Sequence, residues 1–249
     1  MEQFINKVIQ GDCLEVMKGI PDKSIDMILA DLPYGTTACK WDTIIPFEPL
    51  WEQYKRIIKD NGAIVLTASQ PFTSALVMSN PIMFKYEWIW EKKKYNSGFV
   101  HAKNKPLKKH ENILVFSKGT TVHKCQSINR MNYNPQDLLP TNKLRRKNTT
   151  HTDTSFSERK SHRDTIQEFT NYPKSIISFD LECKPLHPTQ KPVALFEYLI
   201  KTYTNEGDLV LDNCAGSGTT GVACKNLNRK YILIEKEPEY IDIINKRLN

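Results

Sequence analysis

Two short stretches carry the residue types best suited to chemistry. The first, Asp31-Leu32-Pro33-Tyr34, follows the mostly apolar run Ile25–Ala30. It therefore sits at the carboxyl end of a predicted strand, the edge where α/β sheets hold ligands. Its carboxylate accepts a hydrogen bond from an amine, and the Leu32 backbone carbonyl accepts another. Pro33 biases Leu32 to an extended conformation and so directs that carbonyl. Tyr34 offers a flat π face on which a planar base can stack. Two acceptors and a stacking face suit an exocyclic amine whose lone pair must point at a methyl donor. The commoner fate of such a string is an ordinary strand-end turn with a buried tyrosine.

The second stretch, Asp212-Asn-Cys214-Ala215-Gly216-Ser-Gly218-Thr219-Thr220, lies between a predicted strand and a predicted helix. Glycines let the backbone turn tightly and approach a ligand, and a helix N-terminus offers free N–H groups. Thr219 or Thr220 can cap that helix and also bind a carboxylate. Glu235 ends the next strand, 23 residues after Asp212, about where an acid grips ribose hydroxyls in a dinucleotide-type βαβ unit. The GxGxxG pattern is not matched in a way that demands NAD, so this motif alone leaves the cofactor open.

The elements that must hold these turns are legible on either side. In residues 1–117, Leu50, Tyr54, Ile57 and Ile58 recur at helical spacing, with Asn61-Gly62 expected to end that helix. Ala63–Thr67, Trp88–Trp90 and Ile113–Phe116 read as strands, with the two tryptophans as core rather than a base platform. In residues 185–249, Pro192 opens a helix through Ile200, and Leu209–Leu211 is a strand ending at Asp212. A helix from Thr219 to about Leu227, a strand Tyr231–Ile234 and a helix bearing Tyr240, Ile241, Ile244 and Leu248 follow. Near-continuous apolar strands alternating with helices imply an α/β fold with a mostly parallel, doubly wound sheet.

Residues 118–184 lose this rhythm. They are rich in Asn, Thr, Ser, Lys and Arg, and contain the cluster Lys143-Leu-Arg145-Arg146-Lys147. They read as a long irregular insertion, a small recognition subdomain or a partly disordered segment. The charge is equally uneven. The net is +7, but Lys85–Lys174 holds nineteen basic against eight acidic residues, so that stretch is +11 and the remainder −4. A mildly acidic body with a basic middle suits a polyanion partner.

Taken together, the two turns and the basic stretch between them resemble the β-class amino-directed DNA methyltransferases, over nearly the whole chain. The resemblance implies a Rossmann-like S-adenosylmethionine-dependent methyltransferase fold as a single domain. Residues 1–117 would form its catalytic half, 118–184 a target-recognition insertion and 185–249 its cofactor-binding half. Asp31-Leu-Pro-Tyr34 looks like the family's catalytic Asp-Pro-Pro-Tyr. Asp12, in Val8-Ile-Gln-Gly-Asp12, is implied to contact the cofactor adenine. His187-Pro-Thr189-Gln-Lys191-Pro192 is similar to a motif near the methionine end of the cofactor. Asp212, Cys214, Ala215, Gly216, Gly218, Thr219 and Thr220 are implied to line the cofactor, and Glu235 to bind its ribose. Two departures stand out: Leu32 replaces a proline, which should loosen the catalytic turn, and Asn213-Cys214 replaces Pro-Phe, which removes an aromatic beside the cofactor.

The implied reaction is methyl transfer to the exocyclic amine of adenine in double-stranded DNA, with the base flipped out of the stack. Lys143, Arg145, Arg146 and Lys147 are expected to bind DNA. Cytosine amino methylation is the nearest rival, but cytosine-directed relatives more often carry Ser at the position of Asp31. A catalytically silent DNA-binding protein of the same fold is the rival from another class. A homodimer and a cognate restriction endonuclease are the further partners the resemblance suggests. The six cysteines form no CxxC pair and the histidines show no HExxH spacing, so no metal is expected. Scattered thiols, no signal-peptide pattern and apolar runs too short to span a bilayer suggest a cytoplasmic protein with no membrane partner. The recognition sequence cannot be read from insertion loops.

Overall fold

Alternation within one apolar strand determines how this chain layers. In β2 (Ile25–Asp31), Ile25, Ile28 and Ala30 face one core, while Met27 and Leu29 face another. The computed structural model describes residues 1–37, 39, 42–122, 129–145, 165–182 and 190–249. On the first face lie α1 (Cys13–Lys18), α2 (Phe47–Ile57) and α3 (Phe72–Ser79), contributing Met17, Trp51, Tyr54 and Leu76. On the second lie α4 (Val193–Tyr203), α5 (Thr219–Asn226) and α6 (Pro238–Leu248), contributing Phe196, Tyr203, Cys224 and Ile244.

The remaining strands of this sheet are β1 (Lys7–Gln10), β3 (Ile58–Ala68), β4 (Phe84–Lys92), β5 (His110–Phe116), β8 (Ile176–Phe179), β9 (Leu209–Asp212) and β10 (Lys230–Glu235). Two others, β6 (Leu139–Arg145) and β7 (Thr165–Thr170), form a separate antiparallel pair. The eight strands run in the order β1-β10-β9-β2-β3-β5-β4-β8, parallel except that β5 opposes both neighbours. This is the doubly wound sheet expected. The chain leaves β2 toward β3 over the first face and leaves β9 toward β10 over the second. The carboxyl ends of β2 and β9, which are neighbours, are thus the switch point where such sheets bind ligands. Asp31 and Asp212 end those two strands.

Two local expectations are corrected. Helix α2 stops at Ile57, and Ile58 already belongs to β3, so Asn61-Gly62 is not a helix cap but lies inside the strand. The β2–β3 register shifts between Ile25 and Met27, and a Cβ on Gly62 would stand 2.7 Å from the Asp26 carbonyl. The glycine answers a close backbone approach. Nor does Thr219 or Thr220 cap α5: Gly218 does so, at φ 79, without a side-chain hydrogen bond.

The stretch expected to be irregular contains more structure than its composition implies. The chain forms two units, Met1–Asn134 with Ser175–Asn249, and Pro135–Lys174. Residues 118–122, 129–134 and 175–182 therefore fold with the large sheet. Met131 is buried in its core, Thr120 and Arg130 form a bridge, and β8 pairs with β4. In the smaller unit, Leu139, Leu144, Ile166 and Phe169 of β6 and β7 remain exposed. A strand pair with no fully buried face among its described residues leaves little hydrophobic period to read.

Candidate active site

The switch-point turns share one cavity of about 730 Å³, within the range of small-molecule sites. Asp12, Asp31, Tyr34, Lys191, Asp212, Cys214, Gly216 and Glu235 all line it. The catalytic-type turn is rigidly held. Asp31 Oδ1 accepts hydrogen bonds from the Tyr34 hydroxyl at 2.7 Å and from the Thr67 hydroxyl. Thr67 is the register partner of Asp31 on β3. Leu32, expected to loosen the turn, is buried in the first core and anchors it. Tyr34 stacks one face on Phe72, with centroids 5.1 Å apart. Burial first, then the charges of Asp31 and Glu111, push its phenol well above the usual tyrosine value. Beyond it, Asp42 accepts the N–H groups of Gly35, Thr36 and Thr37 at 2.6 to 2.9 Å and pins the chain leaving the turn.

Behind Asp31 runs a line of alternating charges. Lys191 Nζ lies 2.6 Å from Asp31 Oδ2 and 3.5 Å from Glu111 Oε2, and Lys92 lies 2.5 Å from Glu111 Oε1. The Lys191 side chain is only 7% exposed. Burial draws its ammonium down, but Asp31 and Glu111 outweigh burial and hold it above the ordinary lysine value. Burial likewise pushes Glu111 up, and Lys191 and Lys92 overcome it, leaving this acid below the usual carboxylate range. Lys191, singled out above for the cofactor, thus has its ammonium on Asp31. Its backbone carbonyl faces the other turn, accepting from the Thr219 hydroxyl at 3.4 Å.

The second turn is organised by its acids. Asp212 accepts the Cys214 N–H at 3.0 Å and the Thr220 hydroxyl at 2.5 Å. Burial pushes Asp212 up to about 7 against those hydrogen bonds, with Asp31 and Glu235 adding to the rise. Glu235 accepts the N–H groups of Gly216, Lys236 and Glu237 at 2.7 to 2.9 Å. Burial raises its pKa despite them. Asn213 receives the Tyr54 hydroxyl at 2.5 Å, so a side-chain bond to α2 braces the turn where a proline was expected. Ala215 is buried and its N–H joins the Ile234 carbonyl. Asp12 caps α1 by accepting the Leu14 N–H at 2.9 Å.

A Cβ on Gly216 would meet nothing within 4 Å, so the backbone there borders open space. Seven acids line the cavity, Asp12, Asp31, Asp42, Glu111, Asp212, Glu235 and Glu237, against four lysines, Lys92, Lys108, Lys191 and Lys236, and this acidic excess suits a ligand that carries positive charge. His187, Thr189, Arg146 and Lys147, and the side chain of Arg145, lie outside the described residues; Lys143 is exposed on β6 in the smaller unit. Thr67, Glu111, Lys92, Asp42 and Phe72 were not anticipated. Only Thr67 carried a signal, as the last polar residue of the apolar run beside β2.

A doubly wound sheet with acid-bearing turns at its switch point defines a Rossmann-like α/β protein built around a nucleotide-type ligand. Residues 25–246 match the family model described as DNA methylase. The Type II methyltransferase M.HinfI of Haemophilus influenzae is 30% identical over 274 residues, covering 100% of this chain and 69% of that protein. The DNA adenine methyltransferase YhdJ of Escherichia coli K12 is 30% identical, covering 97% and 82%. Among solved structures, the M1.HpyAVI–SAM complex superposes with TM-score 0.62 at 24% identity, covering 97% of this chain and 99% of that one. PvuII DNA methyltransferase, cytosine-N4-specific, gives 0.68 at 16%, covering 98% and 86%. The chain belongs to the DNA methylase family that its two turns resemble.

Proposed function

We propose that this chain transfers a methyl group from S-adenosylmethionine to the exocyclic amine of a flipped adenine in double-stranded DNA. The observation that carries the reading is the setting of Asp31, held from three sides beside the cavity that contains the Asp212 and Glu235 turn. A carboxylate has about four lone-pair sites. Tyr34 and Thr67 fill those of Oδ1, and Lys191 takes one on Oδ2. The remaining site on Oδ2 accepts one amine hydrogen, and the Leu32 carbonyl accepts the other. Pinning both hydrogens turns the nitrogen lone pair out of conjugation and makes it nucleophilic. Catalysis is then positioning and electrostatics, with no covalent enzyme intermediate. Phe72 covers one face of Tyr34 and the Lys191 ammonium stands 5.8 Å from its ring centre, so the target base is read as packing on the part of the ring that lines the cavity.

S-adenosylmethionine, when bound, supplies an electrophilic methyl group on a sulfonium. Asp12, Asp212, the 214–220 turn and Glu235 would hold it. Their acids complement its positive charge, and the open space at Gly216 allows its close approach. His187, Thr189 and the Lys191 main chain complete that set through family likeness. Asp31, together with the adenine-directed relative from E. coli, favours adenine over cytosine. Lys143, Arg145, Arg146 and Lys147 are read as phosphate contacts. The Type II relatives extend the reading to a modification enzyme of the cytoplasm, with a cognate restriction endonuclease and a homodimer as expected partners. The test pairs calorimetric titration with a methylation assay. Asp31→Ala should abolish transfer while cofactor affinity stays near wild type, and substantial residual transfer by this variant contradicts the assignment.

A further inference from the structure

The connection from β4 to β5 leaves the cavity wall and ends in a feature that methyl transfer as derived above does not use. Ser97 and Lys108 both line the cavity, and they form a rung in which each N–H donates to the other's carbonyl at 2.9 Å. Beyond that rung, Gly98 (φ 88) leads into a 3₁₀ turn, Phe99–His101. Bonds from His101 N–H to the Gly98 carbonyl, Ala102 N–H to Phe99 and Lys105 N–H to His101, at 2.9 to 3.1 Å, close it. This ordered turn holds Phe99 at 80% exposure and Val100 at 91%. Folded proteins seldom present two adjacent large apolar side chains on a hydrogen-bonded tip without a partner for them.

The surroundings define that partner. Lys93, Lys94, Lys103, Lys105, Lys108 and Lys109 flank the tip, and no acid lies between Lys92 and Glu111. Lys94 pairs with Asp180 and Lys109 with Glu91. Lys103 and Lys105 form no salt bridge among the described residues, and Lys93 acts on Glu91 only through its charge, without a direct ion pair. An apolar tip ringed by cations needs a polyanion that also offers an apolar gap. Duplex DNA provides both, phosphates outside and a base stack within. Phe99 is two residues from Ser97, a chain reach of about 7 Å, or roughly two base steps, so the tip stands beside the cavity mouth.

We propose that Phe99 and Val100 form a wedge that enters the base stack next to the target nucleotide and holds the gap open while the base occupies the Asp31 cavity. The inference rests on the methyl-transfer reading above. Unstacking and unpairing oppose flipping, so the wedge matters most where the target is fully paired.

The experiment uses the full chain and duplexes carrying the site found by mapping methylation in the expression host. One duplex is fully paired, and the other has an abasic position opposite the target. Phe99→Ala/Val100→Ala should lower kcat/KM on the paired duplex by about tenfold or more and leave the abasic duplex within about threefold of wild type. Phe99→Leu should recover most of the loss. With 2-aminopurine as the target base, the double variant should also show a smaller fluorescence rise on binding. Equal activity of variant and wild type on the paired duplex overturns the wedge, as does an equal loss on both duplexes. A variant that changes only the oligomeric state overturns it too, in favour of contact between copies. Wild type that methylates no DNA refutes the underlying reading instead.

Discussion

Removal of the Lys191 ammonium tests whether this residue serves Asp31 or the cofactor. In Lys191→Met, Asp31 loses a partner at 2.6 Å, on a side chain that is 21% exposed. Glu111 keeps Lys92 at 2.5 Å, so the loss falls chiefly on Asp31. Removing one member of a buried ion pair costs about 3–5 kcal/mol, and partial exposure of Asp31 puts the expected value near about 3 kcal/mol. Asp31→Asn should also destabilise, because Lys191 is left with Glu111 at 3.5 Å. The double variant contains neither charge, so it should recover about 2 kcal/mol of the summed losses. Urea unfolding followed by tryptophan fluorescence supplies all four corners of the cycle. Alongside it, Lys191→Met should lower kcat by at least about tenfold, corresponding to roughly 1.4 kcal/mol, with cofactor affinity little changed. Additivity within about 0.5 kcal/mol, or a loss confined to cofactor binding, refutes the reasoning and returns Lys191 to the cofactor.

Three further outcomes follow from the same geometry. Glu235→Ala should weaken S-adenosylmethionine binding by roughly 1.5–3 kcal/mol and loosen the turn whose Gly216, Lys236 and Glu237 N–H groups it accepts; unchanged affinity by titration places the ribose elsewhere. Asp212, with a folded pKa of about 7 against an ordinary 3.8, keeps a proton that the unfolded chain has released between those values. Its stabilising contribution is therefore full below about pH 4 and lost as pH rises through about 7. Asp212→Asn should flatten the fall in urea midpoint between pH 5 and pH 8, and an unaltered slope contradicts the raised pKa. Replacing Lys143, Arg145, Arg146 and Lys147 together with Ala should reduce DNA affinity and flatten its salt dependence, by a log–log slope of about 0.9 per lost phosphate contact; wild-type affinity and slope remove the cluster from the DNA footprint.

How much of this was legible follows from the range of each signal. The strands β2, β9 and β10 are local apolar runs, and the acids that end them are read directly from the chain. The Asp31 and Asp212 turns are therefore legible as candidates in the sequence itself. The end of α2 could not, because Ile58 continues the apolar spacing of the helix while pairing as a strand. What ends it there is the pairing of Ile58 with Ile25 of β2, a tertiary fact. The charges behind Asp31 are less legible still. Lys191 lies 160 positions away in sequence, and Glu111 and Lys92 come from two strands whose pairing no local pattern announces. Hydrophobic period also fails on β6 and β7, where the apolar residues remain exposed.

The central claim, amino methylation of adenine, is tested most directly by the product. DNA from cells expressing the wild-type chain or the Asp31→Ala variant is digested to nucleosides and separated by mass spectrometry. The account predicts N6-methyladenine with the wild-type chain and none above background with the variant. N4-methylcytosine in place of methyladenine, or no methylated nucleoside from an intact wild-type chain, contradicts it.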